Sequence, residues 1–290
     1  MKNATLTLIM LIIMQSSFAQ NYHYGMGCIY YPGTNKFYGV TVKNGVMTAR
    51  QVDEYSGKND TVDVINLTMG LGTIYYPKTN RFYGLYTSMA GKMVAQEVHE
   101  YLDKTVPVTI DFLLLNSPDG PEPTAMREAF GVEYYSRANI FYAVYLNGDN
   151  KIVAHEVSEY LDKDQETEMH ASIGTVYYPR TNSFYAVYQH TTGKIVAQEI
   201  GIFLDEETPA DIKVAIGNIY YPKTSAVYAV YMDSAGKLVA KKASTYVSNE
   251  RAVEMGRSFG SIYYTNINKI CGIYSDPKGN IFVREVDEYR

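Results

Sequence analysis

Gly72-Thr73-Ile74-Tyr75-Tyr76-Pro77-Lys78-Thr79-Asn80-Arg81-Phe82-Tyr83-Gly84-Leu85-Tyr86 decides the fold, because it comes back. Its opening phrase, Gly-x-Ile-Tyr-Tyr-Pro in variant form, starts at Gly27, Gly72, Gly131, Gly174, Gly217 and Gly260. The spacings are 45, 59, 43, 43 and 43 residues. A fixed period of this size marks a solenoid, a propeller or an array. The long interval is one unit plus an insertion at about 111–123 (DFLLLNSPDGPEP), whose Pro, Gly and Asp read as loop.

Working outward, Gly-x-Ile-Tyr-Tyr is a short run of β-favouring residues, and Pro-x-Thr-Asn is turn chemistry. Phe-Tyr-small-apolar-Tyr reads as a second strand. A glycine-containing loop leads to a third segment, Lys-x-Val-Ala-x-Glu-Val-x-Glu-Tyr. Val94, Val98, Tyr101 and Leu102 in that segment also fit helical spacing, so strand and helix both remain open there. A weaker fourth segment, such as Ala210–Ile216, precedes each repeat glycine.

Four short strands in about 43 residues, six times over, predict an all-β, closed six-bladed β-propeller. Tandem β-trefoils of three repeats each and a helix-containing repeat are the alternatives. The column Gly39, Gly84, Ala143, Ala186, Ala229, Gly272 suits close approach between blades. Glu285–Tyr289 ends where a fourth strand would begin, and a spare strand-like piece, Asn21–Met26, precedes the first copy; closure of a ring would join them. The plan resembles six-bladed propeller lectins in architecture. Their tryptophan and arginine pattern is absent, so no binding residue is carried over.

The 290 residues carry 26 Lys+Arg against 31 Asp+Glu, a net charge of −5, which excludes an electrostatic nucleic-acid binder. Residues 1–19 read as a signal peptide: Lys2, the nine-residue apolar run Leu6–Met14, then Ser17 and Ala19 before the cleavage point. Residues 20–290 are then a single six-repeat domain without a transmembrane segment, secreted, extracellular, or periplasmic in a bacterium. Cys28 and Cys271 lie in the first and last copies, so a closed ring predicts a disulfide between them.

Catalytic constellations are scarce. The histidines share no repeat column and no metal-ligand spacing, and no Gly-rich phosphate loop or nucleophile elbow appears, so neither cofactor nor metal is expected. Of 29 tyrosines, only Tyr22 and Tyr24 fall outside the repeat columns. Glu97 and Glu285 face Arg81 and Lys269 in the pattern, whereas the matching positions for Glu156 and Glu199 are Ile140 and Ser183. Glu156 with Tyr145, and Glu199 with Tyr188, are therefore the candidate ligand-binding pairs, a carboxylate beside an aromatic face. The expected function is non-catalytic recognition of a glycan or another extracellular partner through repeated sites. A structural or protein-interaction role, and a hydrolase with its site on the ring axis, are the alternatives.

Overall fold

The computed structural model describes residues 24–43, 46–57, 59–60, 67–88, 92–106, 108, 125–243, 245–249, 255–265 and 267–290. The expected signal peptide and the 111–123 insertion lie outside the described residues. Twenty-four strands form six four-stranded sheets arranged in a ring, a six-bladed β-propeller, with no helix among the described residues.

The inner strands, blades 1 to 6 in order, are Tyr24–Tyr31, Leu67–Tyr76, Met126–Tyr135, Met169–Tyr178, Val214–Tyr221 and Ser258–Tyr264. Each pairs antiparallel with its second strand, Arg81–Ser88 in blade 2 for example, and that strand with a third, Met93–Glu97. The anticipated fourth segment is not separate: Val214–Ile216 belongs to the inner strand of blade 5, and Tyr24–Met26 to that of blade 1.

The outer strands come from elsewhere. Glu54–Ser56 leaves the first repeat and joins blade 2, running parallel to its third strand, and Glu100–Leu102 joins blade 3 in the same way. Glu288–Tyr289 closes the ring against Val46–Gln51 of blade 1. The segment whose helical spacing competed with strand is thus a strand, a two-residue crossover and a second strand one blade on. Every repeat lends its last strand to its neighbour.

Crossovers are held by acceptors that cap the neighbouring strand. Asp53 Oδ2 accepts the Met93 N–H at 2.7 Å, His99 Nδ1 accepts the Ile152 N–H at 2.9 Å, and Asp287 Oδ2 accepts the Met47 N–H at 2.7 Å. A buried polar side chain in the third strand then fixes the loop after the outer strand. His155 Nε2 donates to Val106 O at 2.8 Å, Gln198 Nε2 to Gln165 O at 2.7 Å, and Lys241 Nζ to Asp205 O at 2.9 Å. Burial lowers the Lys241 pKa, opposed by Asp205 and Glu206.

The apolar core lies between blades. Phe37, Leu71, Ile74, Leu85 and Met93 pack the seam of blades 1 and 2, and Phe141, Tyr145, Val153, Ile173 and Ile195 that of blades 3 and 4. The small column is what lets blades approach. A Cβ on Gly39 would collide with Met93 Sδ and sit 2.7 Å from Leu71 Cδ1.

The tyrosine pairs supply a second tie. Tyr75 donates its O–H to Asn80 Oδ1 at 2.8 Å, and Asn80 Nδ2 donates to Tyr135 OH of the next blade at 3.2 Å. The same Tyr–Asn–Tyr clasp links Tyr30, Asn35 and Tyr76, then Tyr134, Asn139 and Tyr178, then Tyr177, Asn182 and Tyr221. Each turn asparagine has φ between 59° and 62°, a left-handed conformation that asparagine tolerates well. Ser225 occupies the position in blade 5 with φ 53°, and there Tyr264 reaches only the Ser225 carbonyl. Ser225→Asn restores both donors and acceptors. We expect it to add about 1 kcal/mol and raise the melting temperature by about 2–4 °C, measurable by calorimetry.

Candidate functional site

The side chains available to a ligand follow from the strand exchange. The second residue of each outer strand is aromatic and exposed: Tyr55, Tyr101, Tyr160, Phe203, Tyr246 and Tyr289. Each leans over a seam rather than outward. Tyr101 packs on Phe82 of blade 2 at 5.7 Å and edge-on to Tyr142 of blade 3 at 5.8 Å. Tyr160 repeats this on Phe141 at 5.5 Å and Tyr185 at 6.3 Å. Burial raises the Tyr101 and Tyr160 pKa values, partly offset by backbone N–H groups donated to their phenol oxygens.

These aromatics wall a cleft at the seam. The cleft between blades 2 and 3 has a volume of about 950 Å³, and one between blades 6 and 1 about 260 Å³. They share their columns: Asn80 matches Asn268, Arg81 matches Lys269, Tyr101 matches Tyr289, and Tyr135 and Tyr142 match Tyr31 and Tyr38. The clefts are thus copies of one arrangement, displaced around the ring.

The charged groups of the rim vary by copy. Arg81 Nη1 meets Glu97 Oε2 at 2.6 Å, and Lys269 Nζ meets Glu285 Oε1 at 2.6 Å. The pairs form diagonally, because the ladder sets Glu97 opposite Tyr83 and Glu285 opposite Cys271. Ser183 Oγ donates to Glu199 Oε1 at 2.7 Å, so a hydroxyl takes the place of the cation there. Ile140 takes the Arg81 position beside Glu156, whose carboxylate makes no hydrogen bond or ion pair among the described residues. Glu97 and Glu100 lie on separate strands in adjacent blades.

The structure does not bring Glu156 to Tyr145 or Glu199 to Tyr188. Tyr145 and Tyr188 are 1% and 0% exposed, and Tyr188 donates its O–H to buried Gln198 Oε1 at 2.8 Å. Strand alternation explains it: Tyr142 and Tyr185, directly across from the glutamates, share their side of the sheet, and Tyr145 and Tyr188 point to the other. The outer-strand aromatics were missed. Their only signal was a Tyr or Phe four residues after the glutamate column.

Nor do Cys28 and Cys271 form a disulfide; both thiols are free. Cys28 faces blade 2, donating its S–H to Thr73 O at 3.3 Å, whereas Cys271 packs with Val227 and Tyr231 of blade 5. They sit in neighbouring blades of the closed ring but look away from each other. Burial pushes the Cys271 thiol up to about 12, and burial with the Glu133 charge holds Cys28 well above the usual thiol value.

The axis is a channel of about 390 Å³, lined by the repeat glycines and the residues after them. One residue beside it breaks the pattern. Where the other copies bury Ile29, Ile74, Val176, Ile219 and Ile262, blade 3 has Glu133. Burial raises its carboxyl to about 8, although the Tyr75 N–H and the Thr73 hydroxyl beside it pull the other way. Among the described residues, no group of three or more His, Cys, Asp or Glu could hold a metal ion, and no helix is long and apolar enough to cross a membrane.

No protein-family model matches the chain, and no curated protein matches it. Among solved structures, a point mutant of glyoxalase I from Zea mays aligns with 10% identity over 56% of this chain and 84% of that one. Its TM-score of 0.13 carries no argument about fold or activity.

Proposed function

We propose that this propeller is an exported recognition module that takes polyhydroxylated ligands, carbohydrate foremost, in the clefts between its blades. The observation that carries this is the recurrence of one cleft, with a half-exposed tyrosine as its wall, a carboxylate on its rim and an asparagine turn at its mouth. Tyrosine rings suit the CH faces of sugars, and carboxylates accept pairs of hydroxyls in charge-assisted hydrogen bonds. Copies around a ring give weak sites whose affinities multiply on a polymeric ligand.

A second reading has its own support. The phenol oxygens of Tyr101 and Tyr160 already receive backbone N–H groups, as expected of residues that only seal seams in a structural or protein-interaction protein. A glycan array followed by Tyr101→Ala with Tyr289→Ala separates the two. The binding reading expects at least about a tenfold loss of affinity for the glycan found, with the melting temperature down by a few degrees. A melting change with unaltered binding would favour the structural reading.

A further inference from the structure

Blades 3 and 4 both keep the glutamate without the cation, but only in blade 4 does a hydroxyl, that of Ser183, take its place. In blades 2 and 6, the residue opening the second strand, Arg81 or Lys269, reaches its glutamate at 2.6 Å. These side chains show what the rim accommodates: a cation resting on a carboxylate among tyrosines. Blade 3 has Ile140 at that position, so the same place beside Glu156 is left without an internal cation.

The surroundings of Glu156 suit a positive guest. Tyr142 lies directly across from it in the ladder, and Tyr160, 52% exposed, overhangs the seam beyond it. Beyond burial, the Glu156 charge helps hold both phenols above their ordinary pKa. Asp103 adds its charge at Tyr142, and Asp162 and Glu199 theirs at Tyr185. An ammonium group gains both from a paired carboxylate and from tyrosine faces, whose quadrupole attracts cations.

We propose that Glu156, between Tyr142 and Tyr160, binds the ammonium group of a ligand, with amino sugars as the class that also uses the aromatic walls. This rests on the carbohydrate reading above, and the test keeps the two apart. Binding of fully deacetylated chitohexaose, its N-acetylated counterpart and tetramethylammonium chloride is measured by titration calorimetry in mildly acidic buffer. The protein, Glu156→Gln and Ile140→Arg are compared.

The deacetylated oligomer should bind at least about tenfold more tightly than the acetylated one. Glu156→Gln should erase that preference. Ile140→Arg should erase it too, because the new guanidinium occupies the carboxylate as Arg81 does in blade 2, while the melting temperature holds or rises. Equal binding of both oligomers, or a preference that survives both variants, overturns the ammonium site and leaves the carbohydrate reading standing. Glu156-dependent binding of tetramethylammonium without either oligomer supports the ammonium site and removes the carbohydrate reading. Binding of none of the three overturns both.

Discussion

Glu133→Ile is expected to raise the melting temperature by about 5–10 °C at pH 8, an unusual gain for one substitution. Five of six copies place Ile or Val in this column, and blade 3 places a half-buried glutamate there instead. Its pKa is about 8, set first by burial, against an ordinary value of 4.5. The sign follows from proton counting. Between those two values the folded chain holds a proton that the unfolded chain has released, so stability falls as pH rises from 4.5 to 8. At 1.36 kcal/mol per unit, the carboxyl costs about 3 kcal/mol at pH 7 and about 4 at pH 8. Isoleucine removes that term and fills the seam, at the loss of one acceptor for the Tyr75 N–H. Denaturant titrations across pH 5–8 should show the downward slope in the parent and a flatter line in the variant. An unchanged slope would mean Glu133 titrates normally and is well solvated.

Asp287→Ala should be the most damaging surface-adjacent change, costing about 3–5 kcal/mol. Asp287 takes both arms of Arg284, at 2.6 and 2.9 Å, and also the Met47 N–H at 2.7 Å. Arg284 has a side chain only 7% exposed, so removing its carboxylate leaves a buried guanidinium whose one other hydrogen-bond partner among the described residues is Asn249 O. The same residue starts the segment that closes the ring. Melting should therefore fall by about 6–15 °C. The sister blades suggest the rescue, since Gln96 and Gln198 occupy the Arg284 column. Arg284→Gln in the Asp287→Ala background should recover part of the loss, giving a favourable coupling in a double-mutant cycle. Purely additive losses would mean the pair is not what holds this seam.

The period, the blade count and the small column were legible because each is a property of one repeat, visible six times. Gly39 and Gly84 could be read as contact points before any neighbour was known. The strand exchange was not legible. Val98-His99 carries no Gly or Pro to mark a crossover, and a β-like run looks the same whether it continues in one sheet or steps to the next. That hidden step also carries Glu100 and the exposed Tyr101 onto the next blade. The ladder register failed for a related reason: a diagonal Arg81–Glu97 pair and a direct one predict the same charges, but they shift which tyrosine accompanies each glutamate. Cys28 and Cys271 show the limit of proximity arguments, since adjacency around a ring says nothing about which seam a side chain faces.

The parallel pairing of Glu288–Tyr289 with Val46–Gln51 bears on how the protein is made. Those partners are about 240 residues apart, and ribosomes add roughly 5–20 residues per second. Blade 1 therefore spends on the order of 10–50 s as three strands, with the N–H and C=O groups of Thr48–Gln51 open to any passing strand. That edge is one on which incomplete chains can pair with one another before their own closing segment arrives.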